Sequence, residues 1–195
     1  MSAQTTRRQA LRTVVAGAAT AGVLALADER DHDAAAAGPS AEMDATILQV
    51  FLELEYAQQR FYEQALRTAR LTGELRTLAQ TVRAQEAEHA AVLERHLGGR
   101  AKAPGAGDAE AVSSPETFRT HAIDLEEAVI AAYVGQGANL TRKAVVAITP
   151  MVSVEARQAA WLRDMAGVSP APRAADPARP LDDVVAELRR KGLMA

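Results

Sequence analysis

Residues 86–93 read Glu-Ala-Glu-His-Ala-Ala-Val-Leu, and residues 155–162 read Glu-Ala-Arg-Gln-Ala-Ala-Trp-Leu. Five of the eight positions are identical, although three of those five are alanine in an alanine-rich chain. A spacing of three residues puts Glu86 and His89 on one face of a helix, where both side chains can reach a shared ion. The second stretch keeps the glutamate but has Gln158 at the position of the histidine.

A second pattern also occurs twice. A leucine–glutamate pair is followed by tyrosine seven residues after the glutamate at two places, Glu55 with Tyr62 and Glu126 with Tyr133. Each of these patterns precedes one of the two stretches above. The chain therefore contains two pseudo-repeats, each with one lone glutamate and one Glu-x-x-His motif or its remnant.

Apolar residues recur with helical spacing in four long segments. The first is expected to begin near Asp44 as its N-cap and to stop before Gly73, and Ser114-Pro115 opens the third. The predicted helices cover about residues 44–72, 74–97, 115–138 and 141–166, and a short amphipathic helix at 181–191 follows a proline-rich stretch at 168–180.

This order predicts an all-α fold: a four-helix bundle of two helical hairpins, with a longer crossover at residues 99–113. Apolar residues make up 48% of the chain and aromatic residues only 4%, which favours helices over strands. Pro150 lies inside the fourth helix and is expected to kink it, or to restart it with Thr149 as a new cap. A displaced fourth helix would turn Glu155 away from the core.

Charge and composition exclude several kinds of partner and site. The net charge of −3 leaves no basic surface for nucleic acid. The absence of cysteine excludes disulfides, thiolate metal sites and a cysteine nucleophile. Nothing in the sequence indicates a cage-forming assembly, so a monomer or a homodimer is expected.

The N-terminus has the features of an export signal. Arg7-Arg8 precedes an uncharged run from Thr13 to Ala27 that ends in a small-x-small cleavage pattern. The run is too short and too weakly apolar for a stable membrane span. We predict a twin-arginine signal and export of the mature protein, with an ordinary secretory signal as the alternative. The predicted organisation is a signal peptide at 1–27, a linker at 28–43, the bundle at 44–166, and a tail with the C-terminal helix at 167–195.

The candidate site residues are glutamates within the apolar stripes, where an unpaired carboxylate is costly to bury. Together with one histidine they are Glu55, Glu86, His89, Glu126 and Glu155. Dinuclear iron and manganese centres in helical bundles use a glutamate from each of two helices and Glu-x-x-His from the other two. Carboxylate oxygens bridge divalent cations and neutralise their charge, and an imidazole completes the coordination of each cation. The sequence therefore predicts binding of iron or manganese, as one or two ions.

Gln158 departs from this pattern, because a glutamine carbonyl is a weak, neutral ligand. We expect one well-held ion bound by Glu86 and His89, with bridging help from Glu55 and Glu126. The second position, next to Glu155, is expected to be weak or empty. Two tyrosines, Tyr62 and Tyr133, either donate to these carboxylates or fill the core and bond a backbone group.

The same motifs resemble those of exported bacterial ferritin-like domain proteins, which are related to desiccation-associated proteins. The resemblance rests on the two leucine–glutamate–tyrosine patterns, on Glu86-x-x-His89 and on the stretch beginning at Glu155, and it covers about residues 44–190. It implies a ferritin-like fold and the binding of iron or manganese. Gln158 stands where the family pattern has histidine.

Three functions follow from these observations. The first is an exported protein that binds iron or manganese and supports stress tolerance without fast turnover. The second is a redox enzyme or oxidase, which needs open coordination positions and usually two metals. The third is a metal-free structural bundle that keeps the glutamates as a relic. Whether the protein is an enzyme stays open at this level.

Overall fold

A computed structural model describes residues 38–102 and 112–194. The predicted signal peptide at 1–27, most of the predicted linker and most of the predicted crossover lie outside these described residues. Within them the chain forms five α-helices and no strand: α1 (Ala41–Thr68), α2 (Gly73–Leu97), α3 (Pro115–Gln136), α4 (Arg142–Met165) and α5 (Leu181–Arg190). None of the helices in these two ranges combines the length and the hydropathy that a membrane span requires.

The helices pack as two hairpins. α1 packs chiefly on α2 and α3 on α4, while α1 also contacts α3, α2 contacts α4, and α5 packs on α3. Because each helix has one apolar stripe, burying all four stripes together produces one shared core. The predicted all-α four-helix bundle of two hairpins, with a short C-terminal helix, is confirmed.

The predicted start of α3 is correct, and the predicted start of α1 is wrong. Ser114 caps α3 by accepting from the Thr117 backbone N–H at 3.2 Å. Ser40, not Asp44, caps α1, accepting from the Met43 N–H at 3.2 Å. Asp44 is instead buried within the helix and accepts from the backbone N–H of Thr141 at 2.8 Å and from its hydroxyl at 2.5 Å. It therefore ties the start of α1 to the start of α4.

Pro150 does not restart α4, so that alternative is wrong. The helix runs through it from Arg142 to Met165, and the Thr149 hydroxyl donates back to the Val145 carbonyl at 2.7 Å instead of capping a new helix. The hydrogen bond that proline cannot donate would reach Val146, whose side chain is 66% exposed. Water on this outer face can satisfy that carbonyl, and the inner face keeps its register.

Aromatic side chains close the core on both sides of its polar centre. Phe51 lies one helical turn before Glu55, and its ring centroid is 4.1 Å from that of Tyr133. Phe61, ten residues after Phe51 on α1, stacks on Phe118 with ring centroids 5.7 Å apart. These contacts join α1 to α3 and surround the polar side chains between them with apolar rings.

The segment after α4 is held against α3 by backbone contact. The Arg179 N–H donates to the Ala131 carbonyl at 3.0 Å. α5 then buries Leu181, Val184 and Leu188. The chain can approach α3 this closely only because residue 135 is glycine: a Cβ there would lie 2.0 Å from the Arg179 carbonyl oxygen.

Replacing Gly135 with alanine is therefore expected to destabilise the protein by about 1–3 kcal/mol, the usual cost of an extra methyl group in a packed contact. Urea unfolding followed by circular dichroism measures the effect. Gly137→Ala is the matched control, since a Cβ at Gly137 would meet no atom of the described residues within 4 Å. Equal unfolding midpoints for the two variants would show that the segment does not lie on α3.

Candidate metal centre

Four buried side chains from three helices converge on one point in the bundle. One ligand atom from each of Glu55, Glu86, His89 and Glu155 lies within 4.8 Å of the others. The three carboxylates are 0% exposed and the imidazole is 6% exposed. We call these four residues the His89 group.

The apolar stripes of the helices turn these side chains inward. On α2, Glu86 and His89 lie one turn apart, between the buried Val82 and Leu93. Glu55 follows Phe51 by one turn on α1, and Glu155 follows Met151 by one turn on α4. Because burial of the apolar neighbours fixes the rotation of each helix, the three carboxylates are fully buried and the imidazole is nearly so. The free energy gained by burying the apolar side chains of each stripe therefore offsets the cost of holding the carboxylates in an apolar core.

One ring nitrogen faces three carboxylates. The Nδ1 atom of His89 lies 3.2 Å from Oε2 of Glu55, 3.2 Å from Oε2 of Glu86 and 2.9 Å from Oε1 of Glu155. A single N–H can point at only one of these oxygens. Three acceptor oxygens therefore surround a point where one N–H can satisfy only one of them. Ligand atoms around a bound cation are arranged in the same way.

Burial makes the negative charge of the centre costly. Desolvation, and then the charge of Glu155, raise the pKa of Glu55, and the same two causes raise the pKa of Glu86 well above its ordinary value. Desolvation alone would lower the pKa of His89, but hydrogen bonding to Glu155, Glu55 and Glu86 raises it to about 12. Without a cation the centre retains protons to balance its carboxylates.

Glu126, expected to bridge at the His89 position, lies beside the His89 group instead. It is 0% exposed, and its two oxygens accept from the Tyr62 hydroxyl and from Nε2 of Gln58, the latter at 2.8 Å. Desolvation, and then the charge of Glu155, raise the pKa of Glu126 well above its ordinary value. The structure thus brings Glu155, rather than Glu126, to His89.

The two predicted tyrosines donate to carboxylates across the bundle. Tyr62 of α1 donates to Glu126 of α3, and Tyr133 of α3 donates to Glu55 of α1. Burial, followed by the adjacent carboxylate, raises the pKa of both phenols well above the ordinary value, so both stay protonated donors. Each hairpin therefore orients the lone glutamate of the other, in line with the pseudo-repeat of the sequence.

Two buried glutamines complete the centre. Nε2 of Gln158 donates to Oε1 of Glu86 at 2.8 Å and to Oε1 of Gln85 at 3.1 Å. Nε2 of Gln58 donates to Oε2 of Glu126 at 2.8 Å and to Oε2 of Glu155 at 2.9 Å. Gln58 lies in the buried stripe of α1 and was not among the predicted site residues. Its signal was the spacing, since Gln58 follows Glu55 by three residues as Gln158 follows Glu155.

The residues present fit a divalent cation beside His89. Three carboxylates and one imidazole are hard oxygen and borderline nitrogen donors, which suit iron and manganese. Oε1 of Glu155 is buried, and it lies 2.9 Å from an imidazole nitrogen that also faces oxygens of Glu55 and Glu86. A cation at this point would satisfy that oxygen and replace the proton that the imidazole otherwise holds.

Residues 43–168 match the family model of the ferritin-like domain. A search of curated proteins returned no match. The matched range begins two residues inside α1, covers the rest of α1 to α4 with every residue of the centre described above, and ends before α5.

Proposed function

The chain belongs to the ferritin-like domain family, and we propose that it is an exported protein that holds iron or manganese in its helical bundle. One observation carries the proposal: the His89 group places four buried ligand atoms within 4.8 Å of one another. Side chains that cost free energy to bury are retained here in a geometry that a cation would stabilise.

In this proposal the chain supplies the ligands and fixes their orientation. Oxygens of Glu55, Glu86 and Glu155 and the Nδ1 atom of His89 would hold the ion. The Tyr133 hydroxyl orients Glu55 through its other oxygen, Oε1. The Gln158 amide orients Glu86 in the same way at 2.8 Å. Such neighbouring donors keep ligands in place and are a regular part of metal centres. The ion itself supplies positive charge among the carboxylates.

Burial favours holding the metal over rapid turnover. A catalytic metal centre keeps a coordination position open to substrate, whereas the His89 group is 0–6% exposed. We therefore propose sequestration or buffering of iron or manganese, in support of stress tolerance, as the role. Export is part of the proposal: Arg7-Arg8 and the uncharged run after it support a twin-arginine signal, whose route carries proteins already folded.

Metal content tests this function. The protein is expressed with its N-terminal segment, purified without chelator and analysed by inductively coupled plasma mass spectrometry. We expect iron or manganese in stoichiometric amount in the wild type and almost none in His89→Ala. His96→Ala, which removes a half-buried histidine from the same helix outside the His89 group, is the matched control and should keep the metal.

The other outcomes separate the alternatives. Metal retained in His89→Ala would place the ion elsewhere in the chain. No metal in any of the three proteins would identify the carboxylates as a relic in a metal-free bundle. Repeated oxidation of ferrous iron by oxygen, lost in His89→Ala, would instead establish a redox enzyme.

A further inference from the structure

Gln58 is placed between two carboxylates from the second hairpin. Its Nε2 atom lies 2.8 Å from Oε2 of Glu126 and 2.9 Å from Oε2 of Glu155. The side chain is 0% exposed, and both of its N–H bonds are used by these two contacts. Its carbonyl oxygen, Oε1, is buried and has no hydrogen-bond partner among the described residues. Within that part of the chain, the two carboxylates are therefore what holds the amide.

Glu155 connects this amide to the His89 group. One of its oxygens, Oε1, lies 2.9 Å from Nδ1 of His89, and the other accepts from Gln58. A carboxylate that bridges two cations also gives one oxygen to each. The contacts of Glu155 therefore have the pattern of a bridging ligand, with the first cation position beside His89 and an amide nitrogen at the second.

We propose that the side-chain amide of Gln58 occupies the position of a second cation and restricts the centre to one metal ion. The inference rests on the proposed function, in which the His89 group holds the first ion. An amide nitrogen gives two N–H donors and so joins Glu126 to Glu155 without adding charge. A second ion would have to displace it, and its two N–H groups would lose their partners inside the core.

The altered position at Gln158 does not have this effect. The Gln158 amide donates to Glu86 at 2.8 Å and to Gln85 at 3.1 Å, so it makes no contact with Glu126 or Glu155 among the hydrogen bonds of the described residues. Restoring a histidine there would add a ligand but would leave the Gln58 amide between the two carboxylates. Gln58 is thus the residue that sets the number of ions.

The test measures how many manganese ions the full chain binds. The wild type, Gln58→Glu and Gln158→His are each titrated with MnCl₂ by isothermal titration calorimetry. Their metal content is then measured after gel filtration. Gln58→Glu keeps the side-chain shape, removes both N–H donors and adds a ligand oxygen. Gln59→Glu makes the same change at the next, half-buried position of α1 and is the matched control.

We expect two ions in Gln58→Glu, and one in the wild type, Gln59→Glu and Gln158→His. Gln58→Ala vacates the position without adding charge; if Gln58→Glu does not fold, this variant is expected to bind the second ion. Two ions in the wild type or in Gln158→His would overturn the inference. So would one ion in every folded Gln58 variant, while leaving the proposed function intact. A wild type that binds neither manganese nor ferrous iron in the same titration would contradict the proposed function, and the inference with it.

Discussion

Removal of the metal is expected to lower the melting temperature of the protein by roughly 10 °C. An ion that binds only the folded chain, present at about a thousand times its dissociation constant, stabilises by about 4 kcal/mol. For a chain of this length, each kcal/mol shifts the melting temperature by about 2–4 °C. The ion also removes the repulsion between Glu55, Glu86 and Glu155, which share one imidazole as their nearest cationic partner.

Differential scanning calorimetry with and without a chelator measures this effect, and adding back manganese or ferrous iron should reverse it. His89→Ala is the control for chelator effects elsewhere on the chain, because without the imidazole the chelator should leave its melting temperature unchanged. A wild type that melts at the same temperature in both conditions would show that the His89 group does not bind metal in the folded protein.

The parts of the fold that depend on local spacing were predictable. Ser114 and Pro115 start α3 as expected, because a cap and a proline at the first helical position act within one turn. Asp44 could not be assigned in this way. It is as good a cap residue as Ser40, but its side chain accepts from Thr141, far along the chain, while Ser40 caps α1 one turn earlier.

Whether Pro150 interrupts α4 also depends on the tertiary structure. Proline removes one helical hydrogen bond and its ring crowds the carbonyl four residues earlier, so the effect depends on whether the surroundings of that turn can accommodate both changes. On α4 the affected turn lies on the solvent side, beside the exposed Val146, so the helix continues. The register that follows decides the site, since it brings Glu155 into the core at 0% exposure.

Helical periodicity identified which side chains enter the core, but not which of them meet. Glu86 and His89 are neighbours on one helix, so their proximity follows from a spacing of three. Whether Glu126 or Glu155 reaches His89 depends on how the second hairpin is rotated and shifted against the first, which no local pattern encodes. The same holds for Gln58, whose role arises from oxygens on α3 and α4.

Metal-free and metal-loaded protein are expected to respond to pH in opposite directions. In the metal-free fold, the pKa values of Glu55, Glu86 and Glu126 lie above their ordinary values, mainly through burial. A group with a raised pKa contributes stability that is present below its unfolded pKa and is lost as the pH rises through its folded pKa. The pKa of His89 is also raised, from 6.5 to about 12. The contribution of His89 to stability therefore declines as the pH rises above about 6.5.

The free energy of unfolding of the chelated protein should therefore fall between about pH 5 and pH 8, by at most about 1.4 kcal/mol per pH unit for each such group. The metal-loaded protein should gain stability over the same range, because protons compete with the ion for the carboxylates and the imidazole. Urea unfolding at four pH values, with chelator or with manganese, gives both slopes.

Glu86→Gln isolates the contribution of one of these carboxyl groups to the pH dependence. The substitution removes a group that is 0% exposed and whose pKa is strongly raised, so the chelated variant should lose less stability between pH 5 and pH 8 than the chelated wild type. With manganese present it should be less stable than the wild type, because an amide is a weaker ligand than a carboxylate. Parallel slopes for wild type and variant under chelation would mean that Glu86 titrates as it does in the unfolded chain. The buried carboxylates would then impose no charge cost for a cation to relieve, and the argument for a metal at this point of the bundle would lose its energetic basis.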